Sequence, residues 1–371
     1  MYRVMCLLLL LLGTYCGKNG EAGPGPGDRV SSLGKVCSDD GWCWENPLPH
    51  GNRLTAVWGT DANNVWAVGS GVMKWDGTDW SGQSRGASTF NAVWGTDANN
   101  IWAVGSGVMK WDGTAWAAQP SEAKYGLSGV WGMDANNIWA VGDFGTIVRW
   151  DGTAWVAQFS RTVKNLLAVW GTDSNNVWAV GESGTILKWN GTAWAAQPTG
   201  TTYKLHGVWG TDSNNVWAVG ESGTVLKWNG TAWAAQSLGM INISLYSVWG
   251  ADANNVWAVS DLGTIVKWDG TAWTSYLGGG TYDAPVSIWG ADANNFWAVG
   301  KEGVIQRWNG KDWLVWKKDN THNYFGVWGA DANHVWLVGT AGTNFAGIQM
   351  WDGTAFVNNG YVTGKRLNGV W

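Results

Sequence analysis

The sequence is poor in charge, proline, histidine and helical signal. Only 14% of its 371 residues are charged, against roughly a quarter in an ordinary globular chain. Four Cys are too few for a disulfide-dense scaffold. Basic and acidic residues number 23 and 28, for a net charge of -5. A sequence-independent nucleic-acid binder needs the opposite balance to displace counterions from phosphates. Nothing follows the 3.6-residue helical period, and 55 Gly disfavour helix. The one long apolar run, residues 4–12, is too short to cross a bilayer. No His-Glu-x-x-His pair or phosphate-binding loop occurs, and no catalytic residue, metal or cofactor is assigned. What is abundant is Trp, 35 residues. A chain so rich in large aromatics must bury them to stay soluble.

Residues 1–16 place Arg3 before the apolar run and read as a secretory signal. Cys16 resembles the acceptor of a bacterial lipoprotein signal, with Tyr15 where that pattern has a small residue. Ordinary cleavage near Cys16 or Gly17 is the alternative. Residues 17–36 form a Gly/Pro-rich linker with the composition of a flexible tether. Residues 37–53 are a lead-in containing an extra outer strand, GWCWENP. Cys37 and Cys43 are expected to form a small-loop disulfide in an oxidising compartment. A metal pair is the weaker reading, because no His completes a familiar zinc spacing.

Residues 54–371 repeat. The phrase VWGTDANNVWAVG returns with its first Trp at Trp58, Trp94, Trp131, Trp170, Trp209, Trp249, Trp289 and Trp328, and Trp371 begins a ninth copy where the sequence stops. One unit is about 39 residues and holds four short β-like runs. In one unit these are 205–209, 216–219, 224–228 and 233–236. The turn GTDSNN joins the first two through Asx chemistry. Asn229-Gly230, elsewhere Asp-Gly as at Asp151-Gly152, signals a type I′ hairpin. Four strands per unit, repeated radially, predict an all-β fold: a β-propeller of four-stranded blades, most simply eight, with seven as the alternative. Blade-on-blade packing explains four Trp positions per unit, so 31 of the 35 Trp are architectural. Small residues stand two before each first Trp, as at Ala56, Gly129 and Gly207, where inner strands crowd the axis. Closure is expected to use residues 41–47 or 367–371 as a supplementary strand. The abrupt end also fits a chain shortened relative to a longer one.

The stretch WDGTAW, preceded by AVGESGTILKW, resembles bacterial Trp-rich propeller repeats of the myxobacterial type, grouped with Asp-box (BNR-like) and WD-repeat propellers. The resemblance implies the architecture and a cell-surface setting. Asp151-Gly152-Thr153 are contiguous, whereas an Asp-box has a residue between Asp and Gly. Trp150-Asp151 matches the end of a WD third strand, but its Gly-His pair is absent.

One end of the propeller carries the nearly invariant GTDANN and WDGT turns, and the other the diversified second-to-third turns and blade connectors. Diversified loops are where ligands bind. Two positions stand out there. After the second strand come Asp143, Glu182, Glu221 and Asp261, with Glu302 beside Lys301. Six residues before the first Trp come Tyr125, Lys164, Tyr203, Asp283 and His322. Acids and Tyr around one mouth suit sugar hydroxyls, a cationic group or a basic segment. The plainer reading is solvated turn residues. The Asp of GTDANN is read as an Asx-turn residue in preference to a calcium ligand. Arg149 and Arg307 replace the Lys preceding the third Trp and read as structural.

Three functions follow. The first is an exported or envelope-bound, non-catalytic propeller that binds a protein or carbohydrate through its variable face, with no nucleic-acid partner and no membrane contact beyond a lipid anchor. The second is a glycan-cleaving hydrolase using acids such as Glu182, Glu221 and Asp261 across blades. The third is a structural or assembly scaffold.

Overall fold

The computed structural model describes residues 29–30, 36–37, 53–78, 80–84, 88–239, 243–260, 262–277, 285–317, 322–341 and 345–362. Arg29–Val30 pairs with Val36–Cys37 in a two-stranded antiparallel ribbon. Cys16, Cys43 and the segments 41–47 and 367–371 lie outside the described residues, as does the side chain of Cys37.

Eight four-stranded antiparallel sheets follow, each built from four consecutive strands. They span 54–84, 90–119, 127–157, 166–196, 205–235, 245–277, 285–317 and 322–362 and are numbered blades 1 to 8. In blade 5 the strands are Leu205–Asp212, Asn215–Gly220, Val225–Trp228 and Trp233–Ala235. The inner strands are longer than the sequence pattern suggests, because pairing continues to the turn, with Asp212 opposite Asn215.

Register sets the two faces of each blade. Trp217 lies opposite Lys227, whereas Val216 lies opposite Trp228 and Trp228 opposite Trp233. The second Trp therefore faces one neighbouring blade and the third and fourth Trp face the other. Trp217, Val219 and Val225 of blade 5 pack with Leu245, Val256, Val266, Trp268 and Trp273 of blade 6. Each seam buries a cluster of this kind. No sheet buries both faces alone, so stability resides in neighbours.

The inner ring is a relay of Trp onto Gly. A Cβ on Gly210 would come within 2.8 Å of the Trp170 ring of the preceding blade, and one on Gly250 within 2.7 Å of Trp209. The same relation closes the ring, since a Cβ on Gly59 of blade 1 would come within 2.7 Å of the Trp328 ring of blade 8. A Cβ on Gly326 would likewise meet the backbone of Ala56 at 3.4 Å, the crowding that selects small residues there. Trp336, Val338 and Ile348 of blade 8 share one core with Leu54, Val65, Met73, Trp75 and Trp80 of blade 1. Among the described residues the ring thus closes face to face, and every blade keeps its own four strands.

Candidate ligand-binding face

The repeated end is a locked scaffold. Asp61 Oδ1 accepts the Asn63 N–H at 2.8 Å and both its oxygens accept the Asn64 amide, while the Thr60 hydroxyl donates to Oδ2. Burial pushes the Asp61 pKa up, but these hydrogen bonds outweigh it and hold the group below its ordinary value. The third-to-fourth turn is built similarly. Asp151 Oδ1 accepts the Thr153 N–H, the Thr153 hydroxyl and the Ala154 N–H at 2.8, 2.7 and 3.0 Å. Thr153 and Ala154 thereby hold the exposed Asp151 at about 2. The two turns also clasp each other. In blades 1 to 6 the third Trp donates its indole N–H to the first turn, as Trp228 Nε1 does to Ser213 O at 3.0 Å, and Asn136 packs on Gly152.

This turn differs from the expected two-residue hairpin. Trp150 pairs with Trp155, leaving a four-residue loop closed by Asp151 N–H to Ala154 O. A type I′ turn needs two positive φ angles. Here only Gly152 has one, +98°, because the Asp carboxylate organises the loop instead.

The opposite end gathers the second-to-third turns and the connectors. Asp143, Glu182 and Glu221 are half-buried there, each with its N–H donating to the residue just before its blade's inner strand. A belt of contacts crosses blades 3 to 6. The Phe144 N–H donates to Asn165 Oδ1 at 2.8 Å, and Asn165 Nδ2 to Glu182 Oε1 at 3.4 Å. Lys204 Nζ lies 3.7 Å from Glu182 Oε1, and the Lys204 N–H donates to Glu221 Oε2 at 3.4 Å. His206 Nε2 stands 4.0 Å from Glu221 Oε1, and its ring meets Tyr246 at 4.9 Å. Glu182 and Glu221 are thus drawn together on Lys204.

Tyr125 and Tyr203 are 52% and 50% exposed, and Lys164 is exposed. His322 departs from expectation: it is buried and stacked on Tyr324 at 5.6 Å. The reason is local. The inner strand of blade 8, His322–Asp331, starts early, so His322 pairs with Ala341 inside the sheet instead of lying in a connector. Asp261, Asp283 and the side chain of Glu302 lie outside the described residues. No group of three or more His, Cys, Asp or Glu side chains able to hold a metal occurs among the described residues.

Sequence reasoning missed Phe144, Phe159, Arg161 and Val163. Phe144 occupies the left-handed position of its turn at φ 52°, where blades 4 and 5 carry Ser183 and Ser222. It is 60% exposed and its ring meets Tyr125 at 4.7 Å. Phe159 and Val163 are 79% and 76% exposed, with the Arg161 guanidinium 5.9 Å from the Phe159 ring centroid. The available signal was Phe144 standing where the next two units have Ser.

The sequence matches no protein-family model and no curated protein. Solved structures do resemble it. YCF48 bound to D1 peptide shares 19% identity at TM-score 0.56, covering 71% of this chain and 95% of that one. The computationally designed Ika8 protein shares 17% at 0.69, covering 83% and 99%. The C-terminal WD40 domain of Sif2 shares 14% at 0.64, covering 80% and 95%. At such identities the likeness establishes the propeller fold.

Proposed function

We propose that this chain is a non-catalytic propeller that binds a protein partner through its connector face. The observation that carries the reading is the contrast between the two ends. At the repeated end the Asp carboxylates are occupied by their own turns, whereas the connector face presents Tyr125, Phe144, Phe159 and Tyr203 to solvent. The structure of YCF48 bound to D1 peptide gives precedent for peptide recognition on this fold. Export by residues 1–16, anchoring through Cys16, a Cys37–Cys43 disulfide and kinship with bacterial Trp-rich surface propellers belong to the same proposal. So does placement of the ligand contacts at Asp143, Glu182, Glu221, Asp261, Glu302, Tyr125, Lys164, Tyr203 and Asp283.

Cross-linking of the full chain in envelope extracts tests it. Partners captured by the wild type should be lost with Phe144→Ser plus Tyr203→Ala and retained with Thr153→Ala on the repeated end. The reverse pattern refutes the reading. Half-exposed Tyr125 and Tyr203 favour a second reading, glycan binding by ring stacking. Retention on a glycan panel that falls with Tyr125→Ala and Tyr203→Ala would select it. Turnover abolished by Glu182→Gln would select the hydrolase.

A further inference from the structure

Four exposed apolar side chains, Tyr125, Phe144, Phe159 and Val163, lie on one sector of the connector face. Gly145 packs against the backbone of Thr162 and the hydroxyl of Ser160, which seats the 159–164 connector directly beside the Phe144 turn. Phe159, Arg161, Thr162, Val163 and Lys164 line a single open depression, and Tyr125 flanks Phe144 on its other side. Exposed apolar groups gathered at one place and rimmed by polar residues are the usual form of an interaction site. Phe144 strengthens the point. A bulky residue is disfavoured in left-handed backbone, its ring remains mostly in solvent, and Ser fills the equivalent place in the next two blades. Folding therefore does not call for Phe there.

Charge identifies the occupant. Lys124, Arg161 and Lys164 are all exposed around the patch, in a chain of net charge -5. Of the three nearby acids, Glu182 is half-buried and lies 3.7 Å from Lys204 Nζ, and Glu122 accepts the Ala157 N–H at 2.7 Å on the blade edge. Asp143 is half-buried, its carboxylate against Gly126. Cations rimming an aromatic surface complement a carboxylate-bearing segment with a large apolar side chain.

We infer that the sector formed by Tyr125, Phe144, Phe159, Arg161, Val163 and Lys164 docks an acidic peptide segment carrying a bulky apolar side chain. This rests on the protein-binding reading and deepens it. The apolar side chain covers the Phe144 and Phe159 rings, and the carboxylates pair with Arg161 and Lys164.

The test is fluorescence anisotropy of the full chain with three labelled peptides of about twelve residues: Glu/Asp with Leu and Phe, Lys/Arg with Leu and Phe, and Glu/Asp with Ser. The acidic apolar peptide should bind at least tenfold more tightly than either control, and raising salt to about 0.5 M should weaken it. Phe144→Ser, which installs the residue blades 4 and 5 use, and Arg161→Glu with Lys164→Glu should each reduce affinity at least tenfold. The charge reversal should also raise affinity for the basic peptide. Peptide binding untouched by these variants overturns the assignment of this sector while leaving a protein-binding propeller standing. Failure of all three peptides to bind overturns both. Preference of the wild type for the basic peptide overturns the charge argument.

Discussion

At the scale of single residues, the propeller is organised by carboxylates that act on backbone. Asn229 shows how little the chemistry depends on charge. Its Oδ1 accepts the Thr231 N–H, the Thr231 hydroxyl and the Ala232 N–H, as Asp269 does in the next blade for Thr271 and Ala272. The Ala272 N–H, with the Thr271 hydroxyl and N–H, holds Asp269 at about 2. A folded pKa below the unfolded value gives stability that is present above about pH 4 and lost as pH falls through about 2. Asn229→Asp should therefore melt no lower than the wild type at pH 7, and any advantage should vanish between pH 4 and 2. Calorimetry across that range measures it. A lower melting temperature at pH 7 would show that the turn does not tolerate the charge.

At the scale of the blade, the recurring unit is a cation clasped between two Trp of different blades. Lys227 Nζ lies 5.0 Å from the Trp217 ring of its own blade and 5.0 Å from Trp268 of the next. Lys74, Lys110, Arg149, Lys188, Lys267 and Arg307 repeat the arrangement. At the closing seam the place is taken by Met350, opposite Trp336 and packed on the core shared with blade 1. A thioether also suits aromatic surroundings, but a desolvated cation is attracted more strongly, by about 1 kcal/mol. Met350→Lys should tighten the seam and raise the melting temperature by roughly 2–4 °C, and Lys227→Met should lower it by a similar amount. Thermal unfolding of the two variants decides between this and a purely steric role.

The structural role of Arg149 and Arg307 was legible from their place before the third Trp. Their sandwiching was not, because the second Trp ring belongs to the neighbouring unit and no local pattern records it. The hairpin misreading has a similar origin. Asp-Gly is a local signal for a tight turn, but the Asx side chain that accepts from the two residues beyond the Gly opens it to a four-residue loop.

At the scale of the molecule, the eight-blade count was legible because the period is regular and each unit is a complete sheet. The closure was not: the Trp328–Gly59 contact joins residues far apart in the sequence. Nor was the blade 3 sector, since it depends on a connector, 159–164, folding back against a turn in its own blade. His322 failed for the opposite reason, because the strands of blade 8 outgrow the template.

Face-to-face closure has a topological consequence. The break between the outer strand of blade 8 and the inner strand of blade 1 occupies the place of an ordinary connector, so the origin of the chain is arbitrary with respect to the ring. A circular permutant joining 362 to 54 through a flexible linker and opened between 199 and 202 should fold to the same eight-bladed ring. Its Trp near-ultraviolet dichroism should match that of the parent and its unfolding should remain cooperative. A permutant lacking that signature would mean that the natural break is a specialised lock. If it folds, the ring has no privileged first blade, and whole units can be gained, lost or rotated without inventing a new way to shut it.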